Sequence, residues 1–120
     1  MRSPKMKETE ALLRRLAASD EASLQLVLDP RSGSAPALDR DAHALVQLSA
    51  LLAADATTTS LRWAIDVACA AGVDDVTLAE VLVAIAPVAG TAQTAATAPR
   101  LALALDLDLD TRAGPGVRAR

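Results

Sequence analysis

The sequence predicts an all-α protein, and three observations carry that expectation. Apolar residues recur at helical spacing, cap-type side chains precede each apolar run, and the single stretch of strict alternation has no second strand to pair with. The chain has 120 residues, 52% of them hydrophobic, which is enough to bury one core without disulfide or metal staples. A single-domain helical bundle is therefore expected, preceded by a helical extension over residues 1–37 and followed by a biased tail over 106–120 that is expected to be disordered.

In chain order, Lys5 to Ser19 sets Leu12, Leu13 and Leu16 among Lys7, Glu8, Glu10, Arg14 and Arg15, the pattern of a short amphipathic helix. Asp20 caps a second short helix carrying Leu24, Val27 and Leu28, and Asp29-Pro30 ends it. The core domain is expected over 38–105. Asp39 caps a helix from Arg40 to about Ala54, in which His43 and Gln47 form the main polar stripe and the remainder is apolar enough to be buried on most sides. The turn from Asp55 to Ser60 opens a helix over Leu61 to Ala71 that stops at Gly72. Asp74 caps the next, through about Ala89, where Glu80 is the only charge among the apolar residues and Pro87 kinks the helix or marks its last turn. A final helix covers Ala92 to Leu105, bent or broken near Pro99. The alternation from Leu101 to Asp110 is read as its fraying end.

Composition removes several classes of function. Phe and Tyr are absent and Trp63 is the sole aromatic, so no stacking platform for bases exists. Twelve Lys+Arg stand against 15 Asp+Glu, a net charge of −3, so the chain lacks the basic surplus that a phosphate backbone demands. Nucleic acid is not an expected partner. The lone Cys69 excludes an internal disulfide, a CxxC pair and a thiolate zinc cage, and fits a reducing cytoplasm. The charged start MRSPKMKETE reads as no signal peptide, and the longest uncharged run, Val81 to Pro99, is too rich in Ala, Thr, Gly and Pro for a membrane span.

Leu38-Asp39-Arg40, Leu61-Arg62-Trp63, Ala70-Ala71-Gly72-Val73, Ala79-Glu80-Val81-Leu82 and Ala89-Gly90 follow one another in an order and spacing that resemble the carboxymuconolactone decarboxylase-like family, which includes the alkylhydroperoxidase D type proteins. The resemblance spans roughly Leu38 to Leu105. It implies an all-helical fold and a trimer or hexamer. In the peroxidase branch it also implies two cysteines three apart and a histidine four beyond the second. Those positions are Thr57, Ser60 and Ala64 here, so the dithiol cycle has no thiolates to run on. The decarboxylase branch keeps the histidine, again Ala64 here, and the family's early acidic residue falls near Ala44 or Leu45.

The remaining candidates each carry two readings. His43 is the only side chain that ordinarily titrates near neutrality, either a relocated acid/base group or one turn of polar surface. Glu80 is either a desolvated carboxylate suited to proton transfer or an early-turn charge favoured by the helix dipole. Arg62 is a carboxylate anchor or half of a solvated pair with Asp66, four residues on, and Trp63 an interface or pocket wall. Cys69, without a neighbouring His or Lys, reads as a buried core thiol. Asp106, Asp108 and Asp110 imitate half a calcium loop but lack its glycine and closing Glu, so neither metal nor cofactor is expected.

Two functions are compatible with these residues. One is a non-catalytic binding or assembly protein using the inherited oligomer and pocket. The other is a diverged decarboxylase-like or lactone-processing enzyme on a small carboxylated or cyclic metabolite, with His43 and Glu80 moving protons and Arg62 and Trp63 holding substrate. An alkylhydroperoxidase-type antioxidant activity ranks behind both. Helices this apolar leave surface that a monomer of this size does not cover, so self-association is expected, as a trimer or hexamer before a dimer.

Overall fold

The computed structural model describes residues 3–29 and 37–107. Among them the chain forms six α-helices and no strand: α1 (Pro4–Ala17), α2 (Glu21–Leu28), α3 (Arg40–Ala53), α4 (Thr58–Ala70), α5 (Asp75–Ala89) and α6 (Thr91–Ala104). No helix is long and apolar enough to cross a membrane among the described residues. The chain divides into two compact units, Met1–Ala37 and Leu38–Arg120.

In the first unit, α1 starts at Ser3, whose hydroxyl accepts the Met6 amide, with Pro4 in the position where a missing N–H costs nothing. It ends in a left-handed residue, Ser19 (φ 58°). The Asp20 amide returns to the Arg15 carbonyl at 2.9 Å and the Ser19 amide to Leu16 at 2.9 Å, the two bonds of a Schellman cap. Asp20 then caps α2 by accepting both the amide (3.0 Å) and the hydroxyl (2.6 Å) of Ser23, while Arg15 Nε donates to the same Ser23 oxygen at 3.0 Å. These bonds hold the Asp20 carboxyl below its usual range, the Ser23 hydroxyl contributing most.

The second unit is a four-helix bundle. Helix α3 packs on α4 and α5, α6 packs on the same two, and α4 and α5 lie diagonally across from each other. Its core is drawn from one stripe of each helix: Ala44, Leu48 and Leu52 of α3; Leu61, Ala64, Ile65 and Ala68 of α4; Leu78, Val81 and Leu82 of α5; Thr97, Leu101 and Ala104 of α6. The buried stripe of α3 is narrow. Although its sequence is apolar nearly all round, Val46, Ala50 and Ala53 face outward, so the expected burial on most sides does not occur.

Three joints set the helix directions. The α4–α5 turn repeats both Schellman bonds at Gly72 (φ 93°), the Val73 amide returning to Ala68 and the Gly72 amide to Cys69, each at 3.0 Å, and the α3–α4 turn at Asp55 (φ 61°) repeats the outer one, from the Ala56 amide to Leu51 at 3.1 Å. Between α5 and α6 a single residue, Gly90 (φ 90°, ψ 166°), makes the whole turn, a conformation that only glycine adopts without strain. Pro87 lies in the last turn of α5, where the helix is about to end. Pro99, by contrast, does not break α6: the helix runs on to Ala104, losing only the bond that the Pro99 nitrogen lacks. A further Schellman turn at Asp106 (φ 59°), with the Leu107 amide on the Ala102 carbonyl at 2.8 Å, closes α6, so Leu101 onward begins as helix and not as strand. Asp108, Asp110 and the tail expected to be disordered from there on lie outside the described residues.

Candidate functional site

His43 sits one turn into α3, its amide bonded to the Asp39 carbonyl at 2.9 Å and its ring exposed. It lines a shallow groove of about 200 Å³ with Leu38, Arg40, Val67 and Ala71. Asp39 occupies the N-cap position, but its side chain makes no capping bond. The first-turn Asp41 carboxylate instead accepts the Ala42 amide at 2.9 Å. This groove therefore joins one imidazole and one guanidinium over an apolar floor. Arg40 stood in the sequence only as the start of α3 and as part of the Leu38-Asp39-Arg40 motif, without a role at a site.

The other candidates are placed elsewhere. Glu80 projects from α5 into solvent, flanked on the same face by the exposed Val76 and Val83. It is thus exposed rather than buried among the apolar side chains, and it is not on the wall of the His43 groove. Arg62 is exposed, and its Nη2 donates to the Leu103 carbonyl of α6 at 3.4 Å rather than pairing with Asp66. Leu103 lies in the last turn of α6, where its carbonyl, which also accepts the Asp106 amide at 3.0 Å, is open to a side chain from α4. Trp63 is also exposed and lines no part of the His43 groove. Cys69 is exposed instead of buried, since Ile65 and Ala68 occupy the inward sector of α4.

At the positions where the family resemblance places redox groups, the structure has helix-building contacts. Thr57 Oγ1 accepts the Ser60 amide at 3.2 Å and caps α4, and Ala64 is closed into the core. No group of three metal-ligating side chains forms among the described residues.

Two polar links were not anticipated from the sequence. Arg100 of α6 pairs with Asp55 and also reaches the Ala56 carbonyl (3.4 Å), tying α6 to the α3–α4 turn. Gln93 donates to the Leu52 carbonyl at 3.0 Å and to Thr97 Oγ1 at 2.9 Å, and Thr97 donates in turn to Leu52 at 3.3 Å. The signal for the second was present: Gln93 and Thr97 are four apart on an apolar helix.

A further surface feature of the described residues is apolar. Between Val76 and Pro99 the only charged residue is Glu80. Yet Val76, Val83 and Val88 are 66%, 71% and 91% exposed, and Ala84, Pro87, Ala92, Ala95, Ala96 and Ala98 are exposed with them. Beside this face, α3 and α5 enclose an open groove of about 570 Å³, with Ala50 and Ala53 on one wall and Ala84, Ile85, Val88 and Ala89 on the other. A smaller one, about 360 Å³, runs along the α5–α6 joint past Gly90, Thr94 and Ala98. Comparison with protein-family models, with curated proteins and with solved structures finds no match for this chain.

Proposed function

We propose that this protein is a non-catalytic, self-associating binding or assembly subunit. One observation carries the reading: from Val76 to Pro99 the outward face of α5 and α6 is uncharged except at Glu80 and holds three valines mostly in water. Contiguous exposed apolar surface of this kind marks an interaction site far more often than scattered single residues do. The magnitudes are consistent with association. Burying Val46, Val76, Val83 and Val88 contributes on the order of 5 kcal/mol per copy. Two copies therefore gain about 10 kcal/mol, comparable with the roughly 4–15 kcal/mol that association costs. The alanines and Pro87 between the valines provide the surplus.

The resemblance to the carboxymuconolactone decarboxylase-like family supports the same reading from a separate direction, because its implied redox and histidine positions are Thr57, Ser60 and Ala64 here while its packing residues remain. The test is thermal unfolding at several protein concentrations. Linkage to self-association raises the midpoint as concentration rises. A midpoint independent of concentration over two decades contradicts the proposal.

A second reading, a diverged enzyme on a small carboxylated metabolite, rests on the joint presence of His43 and Arg40 in one groove. Arg40 would hold the carboxylate there and His43 would move the proton, without Glu80. Given a turned-over substrate, His43→Ala lowers kcat by about 100-fold or more. An unchanged rate removes this reading.

A further inference from the structure

We propose that the groove between α3 and α5 receives the same surface of a second copy of this chain, in an antiparallel twofold contact centred on the Ala84 to Val88 stretch of α5. The inference rests on the assembly reading and adds which surface docks and in what orientation.

The first argument is shape. Val88 is 91% exposed at the rim of a trough whose walls are Ala50, Ala53, Ala84 and Ala89. A ridge beside a trough of small side chains is complementary to its own copy under a twofold rotation, which places each Val88 in the partner's trough. The trough also asks for nothing polar. Ser49, the one hydroxyl on its wall, already donates to the Leu45 carbonyl at 2.7 Å, and the other wall residues are apolar.

Charge selects the occupant and the direction. Beyond its first turn, where Asp75 is exposed, α5 offers a partner only the Glu80 carboxylate, and outward-facing Val46, Ala50 and Ala53 of α3 add no charge, so a polyanion or an acidic peptide finds no cation and a basic peptide only one carboxylate. An equally uncharged surface fits, and this chain supplies one. With α5 running parallel to its mate, the two Glu80 carboxylates would lie side by side. Antiparallel about a centre near Ala86, they are separated by roughly 18 Å along the helix at 1.5 Å per residue. That exceeds the Debye length of about 8 Å at physiological salt, so their repulsion is screened.

The area also suffices. A stable interface buries about 800 Å² per partner, some 500 Å² of it apolar. At about 100 Å² for a large aliphatic side chain, the exposed fractions of Val46, Val76, Val83 and Val88 supply roughly 300 Å². The alanines and Pro87 lying between them supply the rest.

The experiment is analytical ultracentrifugation of the full chain and three variants, with circular dichroism as the check on folding. Val88→Glu and, separately, Ala50→Glu place a charge in the trough and weaken self-association at least 100-fold while helicity is retained. Thr59→Glu, exposed on α4 across the bundle, leaves it unchanged. Wild-type association in both trough variants, or dissociation by Thr59→Glu alone, overturns the docking surface but leaves the assembly reading standing. A wild type that is monomeric at every concentration overturns both. Spin labels at Glu80→Cys in a Cys69→Ser background report the orientation: a separation of roughly 20–30 Å is expected, and one under about 15 Å shows a parallel contact and overturns the antiparallel one.

Discussion

Thr57 Oγ1 accepts the Ser60 amide at 3.2 Å, and the Thr57 hydroxyl donates to Ser60 Oγ at 3.2 Å, so the two hydroxyls that the family resemblance sets in place of redox cysteines are engaged in starting α4. A peroxide assay with a recycling thiol reductant is expected to give no thiol-dependent turnover, because neither hydroxyl forms a thiolate and Cys69 has no partner cysteine. Turnover that disappears in Cys69→Ser contradicts this. The same contact predicts a stability effect: Thr57→Ala costs about 1 kcal/mol, visible as a melting midpoint lowered by several degrees.

The N-caps at Asp20 and Asp74 predict an acid limb in stability. The Thr77 amide donates to Asp74 at 2.8 Å and is the main reason its carboxyl is held below the usual range, as the Ser23 hydroxyl and amide do for Asp20. A folded pKa depressed below the unfolded value gives stability that is fully present above the unfolded pKa, about 3.9, and lost as pH falls through the folded pKa. Through these two groups urea midpoints should therefore not vary with pH near neutrality, where their contribution is complete, and should fall below about pH 4. Asp74→Asn, which still caps but does not titrate, should flatten part of that fall. An equally steep limb in the variant removes Asp74 from the account.

Thr97 and Leu61 separate polar from apolar contributions to the bundle. Thr97 is 2% exposed and shares the Leu52 carbonyl with Gln93. Thr97→Val keeps the volume and leaves that carbonyl its Gln93 bond, so the loss is about 1 kcal/mol. Leu61→Ala opens a hole at a fully enclosed position and costs about 2–5 kcal/mol. Chemical denaturation measures both, and a larger loss from Thr97→Val than from Leu61→Ala contradicts the packing described.

Helix positions were legible in the sequence where a capping side chain announced them. Asp20 and Asp74 do what their positions suggested, and Gly72 ends α4's turn as expected. Helix α4 starts three residues earlier than expected, at Thr58, because Thr57 rather than a later hydroxyl caps it. What the sequence left open was rotation. In α5 nearly every sector is apolar, so periodicity cannot say which one faces in. Packing of Leu78, Val81 and Leu82 inward turns Glu80 outward with Val76 and Val83, and the same freedom in α4 leaves Cys69 exposed. The His43 groove was half legible. Its histidine stood out, whereas Arg40, Val67 and Ala71 come together only through the packing of α3 on α4.

Sedimentation velocity at micromolar concentration tests the central claim most directly. The valine-bearing face of α5, whose one charge is Glu80, predicts a species whose mass is a multiple of 12.3 kDa, shifting toward the single chain on dilution. A folded, monodisperse 12.3 kDa species that persists as concentration is raised tenfold contradicts it.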